Sequence, residues 1–157
     1  MTADGIFAEW QPVYAEAGIS TFPVNALIKK PSISGYMKTG PNLSRELAAG
    51  KFAGASAFGF ACRRAGITIV DVDSTDESVL ADALAEYGDT PIKVRSGSNH
   101  FHLWYRNDKE RRKVRPVEGK PIDILNDGFV IAPPSQGAKG TYQFLSGSLD
   151  DLPALPS

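Results

Sequence analysis

Two aspartates, Asp71 and Asp73, close the run Ile67-Thr68-Ile69-Val70-Asp71-Val72-Asp73. The run is rich in β-branched residues and reads as a strand. Side chains two apart on a strand share a face, so both carboxylates point the same way. Paired carboxylates repel, and burying both is costly unless something compensates. A divalent cation removes the conflict, and Mg²⁺ is typically held by one or two carboxylates together with phosphate oxygens. The same spacing also suits a plain strand end, with Asp73 serving the cap of a following helix. A third acid, Asp123, stands alone in Pro121-Ile122-Asp123-Ile124-Leu125. If Ile122 and Ile124 pack inward, Asp123 faces the opposite side. The only two histidines, His100 and His102, lie two apart in Arg95-Ser96-Gly97-Ser98-Asn99-His100-Phe101-His102-Leu103-Trp104-Tyr105-Arg106. On a strand they share a face. The Ser/Gly/Asn turn before them exposes backbone N–H groups and hydroxyls, which suits phosphate, and Arg95 and Arg106 flank it. A histidine there can donate a hydrogen bond as negative charge develops.

The remaining residues exclude several other chemistries. Cys62 is the one cysteine, so neither an internal disulfide nor a multi-cysteine zinc site can form. Asp71, Asp73, His102 and Asp123 also have the ligand types for Zn²⁺ or Mn²⁺ hydrolysis, but no H-x-x-x-H or H-E-x-x-H spacing is present. Arg95-Ser96-Gly97 lacks the leading glycine of a nucleophile elbow, and no G-x-x-x-x-G-K-[ST] loop occurs. The 157 residues suit one domain with one main core, or two small lobes sharing one. No uninterrupted apolar run is long enough to span a membrane, and the N-terminus lacks the basic cluster of a secretory signal. A cytoplasmic setting is the default expectation. The net charge of −1 does not announce a polyanion binder, but its distribution is uneven. Seven acids and no Lys or Arg lie between Asp71 and Asp89, and seven bases against three acids between Arg106 and Lys120. This fits a solvated helix and loop, or an acidic metal centre beside a basic track for phosphates.

The elements that must position these residues follow from periodicity and punctuation. The 15 glycines and 11 prolines argue for many turns and against a helical bundle. Residues 5–17 carry a helical apolar pattern, with Pro12 expected near a helix start or break. A strand is expected over 19–24, a loop over 29–41, and a second helix capped by Asn42 or Ser44 and ending near Gly50. Then come strands at 56–61 and 67–73 around a turn at 63–66. A helix capped by Ser74 or Thr75 should run to Tyr87. Strands are expected at 91–96, 101–106, 121–125, 129–132 and 141–145, with an irregular tail from Ser146. From residue 67 the order is strand, helix, strand, strand, loop, strand. That order builds an α+β sheet with the helix on one face and the other face free for chemistry.

Together these segments resemble the archaeo-eukaryotic primase superfamily, and more narrowly the N-terminal primase/polymerase domain of plasmid and phage replication proteins. Three ordered motifs carry the resemblance: Ile69-Val70-Asp71-Val72-Asp73; the Ser96-Gly97 turn leading to His100, His102 and an aromatic strand; and Ile122-Asp123-Ile124 followed by Phe129-Val130-Ile131-Ala132-Pro133-Pro134-Ser135. Phe22-Pro23-Val24 with Lys29-Lys30-Pro31 is similar to the family's N-terminal strand and basic loop.

The resemblance implies a single catalytic domain over residues 1–157 with a two-lobed fold. An N-terminal α/β unit would occupy about residues 1–55, an RRM-like catalytic sheet about 56–145, and an irregular tail 146–157, with the site between the lobes. It implies metal-dependent nucleotidyl transfer as a DNA primase and polymerase, with two Mg²⁺ or Mn²⁺ ions on Asp71, Asp73 and Asp123. His102, followed by Leu-Trp-Tyr-Arg, would meet the incoming nucleotide's phosphates in preference to His100. Arg95, Ser96, Arg106 and Lys29 or Lys30 would be further phosphate contacts. The implied partners are a single-stranded DNA template or primer, a dNTP or NTP, and a helicase. Two other readings of the acids are a non-catalytic binder of single-stranded DNA or nucleotide, and a metal-dependent nuclease.

Overall fold

Alternating apolar residues place the strands, and the two faces of the central strands then divide between separate apolar clusters. The computed structural model describes residues 5–107 and 120–156. Its elements are α1 (Ile6–Glu16), β1 (Thr21–Asn25), β2 (Lys30–Pro31), α2 (Pro41–Ala49), β3 (Phe58–Ala61), α3 (Cys62–Ala65), β4 (Ile67–Val72), α4 (Glu77–Tyr87), β5 (Lys93–Arg95), β6 (Phe101–Arg106), β7 (Ile122–Leu125), β8 (Phe129–Ile131) and β9 (Gln143–Ser146). Single 3-10 turns cover Tyr36–Lys38 and Leu149–Ala154. The fold is α+β. One sheet has the order β2-β1-β3-β8 and the other β7-β4-β6-β5-β9, and every pairing is antiparallel.

In the five-stranded sheet β6 lies between β4 and β5, so the β4-α4-β5 crossover is of the split β-α-β kind. Helix α4 covers one face. Its Val79, Leu80, Ala83 and Leu84 pack on Val70 and Val72 of β4, Phe101, Leu103 and Tyr105 of β6, and Ile122 of β7. The opposite face belongs to the main core. There Ile67, Ile69, Val94 and Trp104 meet Phe58 and Phe60 of β3 and Phe7 and Tyr14 of α1. The two sheets therefore share one core. The pairing also crosses residue 55, because β3 and β8 extend the sheet that β1 and β2 begin. No helix among the described residues is long and apolar enough to cross a membrane.

Several expectations need correction. Helix α1 runs through Pro12 rather than breaking there. Pro12 sits on the exposed face, and the buried anchors Phe7, Gln11 and Tyr14 hold the helix across it. Helix α2 begins at Pro41 behind Gly40, since proline at the first helical position costs no hydrogen bond. Ser44 is buried instead, and its hydroxyl accepts the Thr21 backbone N–H at 3.1 Å. Asp76, not Ser74 or Thr75, caps α4, accepting the Ser78 N–H at 2.8 Å. The supposed turn at 63–66 is the four-residue helix α3, stopped by Gly66 at φ 73°. The 29–41 loop contains β2. The tail is not irregular: β9 reaches Ser146, a Ser148–Asp151 capping box opens the last 3-10 turn, and Leu155 is buried in the main core.

Candidate active site

Register builds the site from single residues on three strands. On β4, Ile69 stands opposite Trp104 and Leu125, and the next residue on that face, Asp71, stands opposite His102 and Asp123. His102 is in turn opposite Val94 on β5. The result is a cross-strand row, Asp123–Asp71–His102, on the face away from α4. Asp73 follows just beyond β4, where its backbone N–H donates to the Pro121 carbonyl at 2.7 Å. Like charges directly opposite one another destabilise a sheet, so the Asp71–Asp123 pair is not there for stability.

Each histidine meets one aspartate. His100 Nδ1 lies 2.6 Å from Asp73 Oδ1, and His102 Nε2 lies 3.5 Å from Asp71 Oδ1. The two pairs differ in burial. His102 is buried, and among the described residues its Nδ1 has no hydrogen-bond partner; the His100–Asp73 pair is half-exposed. Desolvation pushes the Asp71 carboxyl above its ordinary range. His102 opposes that, while the charges of Asp73 and Asp123 add to it. Desolvation also pushes His102 below the ordinary imidazole value. Asp71 opposes this, and His100 and Lys29 reinforce it. The site as it stands thus favours a neutral imidazole beside a carboxylate that resists charging. Among the described residues no three His, Cys, Asp or Glu side chains converge closely enough to hold an ion as they lie. The donor chemistry nevertheless suits a hard divalent cation: oxygen ligands on one face, with mutual repulsion that such an ion relieves.

The other sequence candidates fall in three places. Ser96 is adjacent and buried, and it shapes the turn. Its hydroxyl accepts the His100 N–H at 3.1 Å, and its own N–H donates to the His100 carbonyl at 2.8 Å. Arg95 is not brought into the row. It stands opposite Phe101, on the α4 side, with its guanidinium 5.9 Å from the Phe101 ring centre. One residue of register separates it from Val94, and that step turns it to the other face. Arg106 is also elsewhere. It pairs with Ile67 at the far end of β6, and its guanidinium reaches the Pro153 carbonyl at 3.4 Å. Lys30 is exposed on β2, opposite Asn25. Lys29, at the tip of the same hairpin, is the lysine whose charge reaches His102. The basic run 106–120 falls mostly outside the described residues.

Tyr142 was not expected in this site. Its buried ring centre is 6.1 Å from that of His102, and burial together with the Asp71 charge pushes its phenol above the ordinary value. Backbone crowding fixes it. A Cβ on Gly137 would stand 2.9 Å from the Tyr142 ring, and one on Gly97 would stand 2.6 Å from the Gly140 carbonyl oxygen. The loop 137–140 therefore presses against the turn after β5. The Pro-Pro-Ser motif organises the same wall. Ser135 Oγ accepts the Phe58 N–H at 2.9 Å and donates to the Phe58 carbonyl at 3.1 Å, while the Ser135 carbonyl accepts the Tyr142 N–H at 2.9 Å. The signal for Tyr142 lay in Gly137-Ala138-Lys139-Gly140, small residues where backbones approach closely, just before an aromatic.

A carboxylate row on an antiparallel sheet, beside two imidazoles, has the donor types that suit a divalent cation and phosphate oxygens. Residues 11–157 match the family described as bifunctional DNA primase/polymerase, N-terminal, and the chain belongs to that family. Membership carries primase/polymerase-type nucleotidyl transfer in general. No curated protein shows significant similarity to the chain.

Proposed function

We propose that the chain catalyses metal-dependent nucleotidyl transfer from a dNTP or NTP onto a primer end, or onto a first nucleotide, along a single-stranded DNA template. The observation that carries this reading is the in-register row Asp123–Asp71–His102 across β7, β4 and β6. Asp71, Asp123 and Asp73 would hold Mg²⁺ or Mn²⁺. When bound, the metal supplies activation of the attacking hydroxyl and neutralisation of the leaving pyrophosphate. The chain's own part is placement. The main core beneath Ile69 and Trp104 fixes the strands that carry the carboxylates. His102, held by the strand and walled by Tyr142, stands beside Asp71, where its imidazole once protonated would donate to a phosphate oxygen. Lys29 adds positive charge on the same side. His100 keeps Asp73 oriented through the 2.6 Å contact. No protein nucleophile is required.

The test is primer extension with Mg²⁺ and with Mn²⁺ in Asp71→Ala and Asp123→Ala. Each should lose activity by about 10³-fold, the scale of removing a principal charge-stabilising group. Wild-type rates in both would sink the proposal. Incubating labelled DNA with metal but without nucleotide separates a polymerase from a nuclease, since only the latter would shorten the label.

A further inference from the structure

The hairpin between β1 and β2 has exposed apolar residues at its tip. Leu27 is 81% exposed and Ile28 61%, the largest values among the exposed large hydrophobics. The hairpin holds them there. Asn25 pairs with Lys30, the Asn25 side-chain oxygen accepts the Leu27 N–H at 3.1 Å, and Lys29 takes a left-handed φ of 51°. Two lysines follow the two aliphatics directly, and neither forms an ion pair among the described residues. A groove of about 480 Å³ runs along the base of the hairpin, lined by Asn25, Ala26, Leu27, Ser32, Ser56 and Gln136 among others, with no carboxylate among the described residues that line it. Lys139 follows the groove residue Ala138 in the chain. The groove reaches Gly137, which presses on Tyr142 beside His102, so it borders the candidate active site, and the Lys29 charge reaches His102.

We propose that Leu27, Ile28, Lys29 and Lys30 form a clamp for single-stranded nucleic acid, delivering the strand to the Asp71–His102 site. This rests on the nucleotidyl-transfer reading and adds the element that grips the polymer. Charge complementarity selects the partner. A groove with no carboxylate among its described lining residues, beside a hairpin tip that carries two lysines, suits a polyanion, and exposed aliphatics packed against bases, or wedged between them, add affinity that salt does not screen. Sequence-independent gripping follows, because neither aliphatics nor lysine–phosphate contacts read base edges.

The test is fluorescence anisotropy with a labelled 20-residue oligothymidylate, titrated with the full chain at several salt concentrations. The proteins are wild type, L27S/I28S and K29A/K30A, with melting curves as a folding control and primer extension run on the same samples. L27S/I28S should bind about tenfold more weakly with an unchanged salt slope. K29A/K30A should bind more weakly and flatten the slope by about 1.4, two lysines at about 0.7 each for a single strand. Wild-type oligonucleotide affinity in L27S/I28S would overturn the clamp, even if primer extension succeeds in wild type. Loss of primer extension in wild type, with the hairpin variants still weakening oligonucleotide binding, would instead strike the nucleotidyl-transfer reading. A parallel arm uses vesicles of anionic phospholipid. Vesicle binding that depends on Leu27 and Ile28, with oligonucleotide binding unaffected by them, would assign the tip to a membrane surface and overturn the proposal.

Discussion

Ile69 and Asp71 occupy the same face of β4, two residues apart, in opposite surroundings. Ile69 is fully buried between Trp104 and Leu125, and Phe60 packs edge-on to Trp104 with ring centres 5.4 Å apart. Asp71 stands between His102 and Asp123, partly desolvated, with its carboxyl pushed up. One end of the face is packed for stability and the other is loaded with groups that oppose it. The strands are continuous, so the apolar end holds the polar end in register. Proteins commonly trade stability for function at such places.

Three variants sharpen that contrast. At the apolar end, Trp104→Ala should cost about 3–5 kcal/mol, from lost burial and an unfilled cavity. Chemical denaturation would measure it, and a loss below about 1 kcal/mol would break the idea of an anchoring end. Between the two ends, Ser135→Ala leaves the Phe58 N–H and carbonyl without their side-chain partner. It should cost about 1–3 kcal/mol and loosen the wall that carries Tyr142, so primer extension should fall by more than Trp104 variants of equal stability show. At the polar end, Asp71→Asn should stabilise the metal-free protein by about 1 kcal/mol, since it removes a partly buried charge and its repulsion with Asp123 and Asp73. That corresponds to about 2–4 °C in melting temperature for a chain of this size. The pH dependence fixes the sign. A carboxyl whose folded pKa is raised keeps its proton longer when folded, so its contribution is present at low pH and is lost as pH rises through the raised value. The advantage of Asp71→Asn should therefore grow from pH 4 toward neutrality, and melting curves in EDTA would show it.

Much of this contrast was legible in the sequence because strand alternation has a fixed period. The β-branched run ending in Asp71 and Asp73, the isolated Asp123 and the paired histidines all fell on one face as expected. What stayed hidden depended on cross-strand register or on backbone crowding. Arg95 flanks the histidine turn in sequence, but one step of register turns it toward Phe101 and α4. Arg106 lies at the far end of its strand, tied to the tail. Ser44 looked like a cap and is a buried tie, because Gly40 and Pro41 already start α2. Tyr142 stayed hidden because its place depends on the close approach of the neighbouring loop 137–140 to Gly97, a contact that sequence spacing does not show. Lys29 is the lysine whose charge reaches His102, whereas Lys30 stands opposite Asn25 on β2.

The central claim is that Asp123, Asp71 and His102 act together on a metal-bound nucleotide. Isothermal titration of Mn²⁺ with a non-hydrolysable dNTP into wild type, Asp71→Asn and Asp123→Asn tests it most directly. Metal-dependent nucleotide uptake by wild type, weakened about tenfold or more in each variant, is the predicted result. Nucleotide uptake that needs no metal and is unchanged in both variants would contradict it.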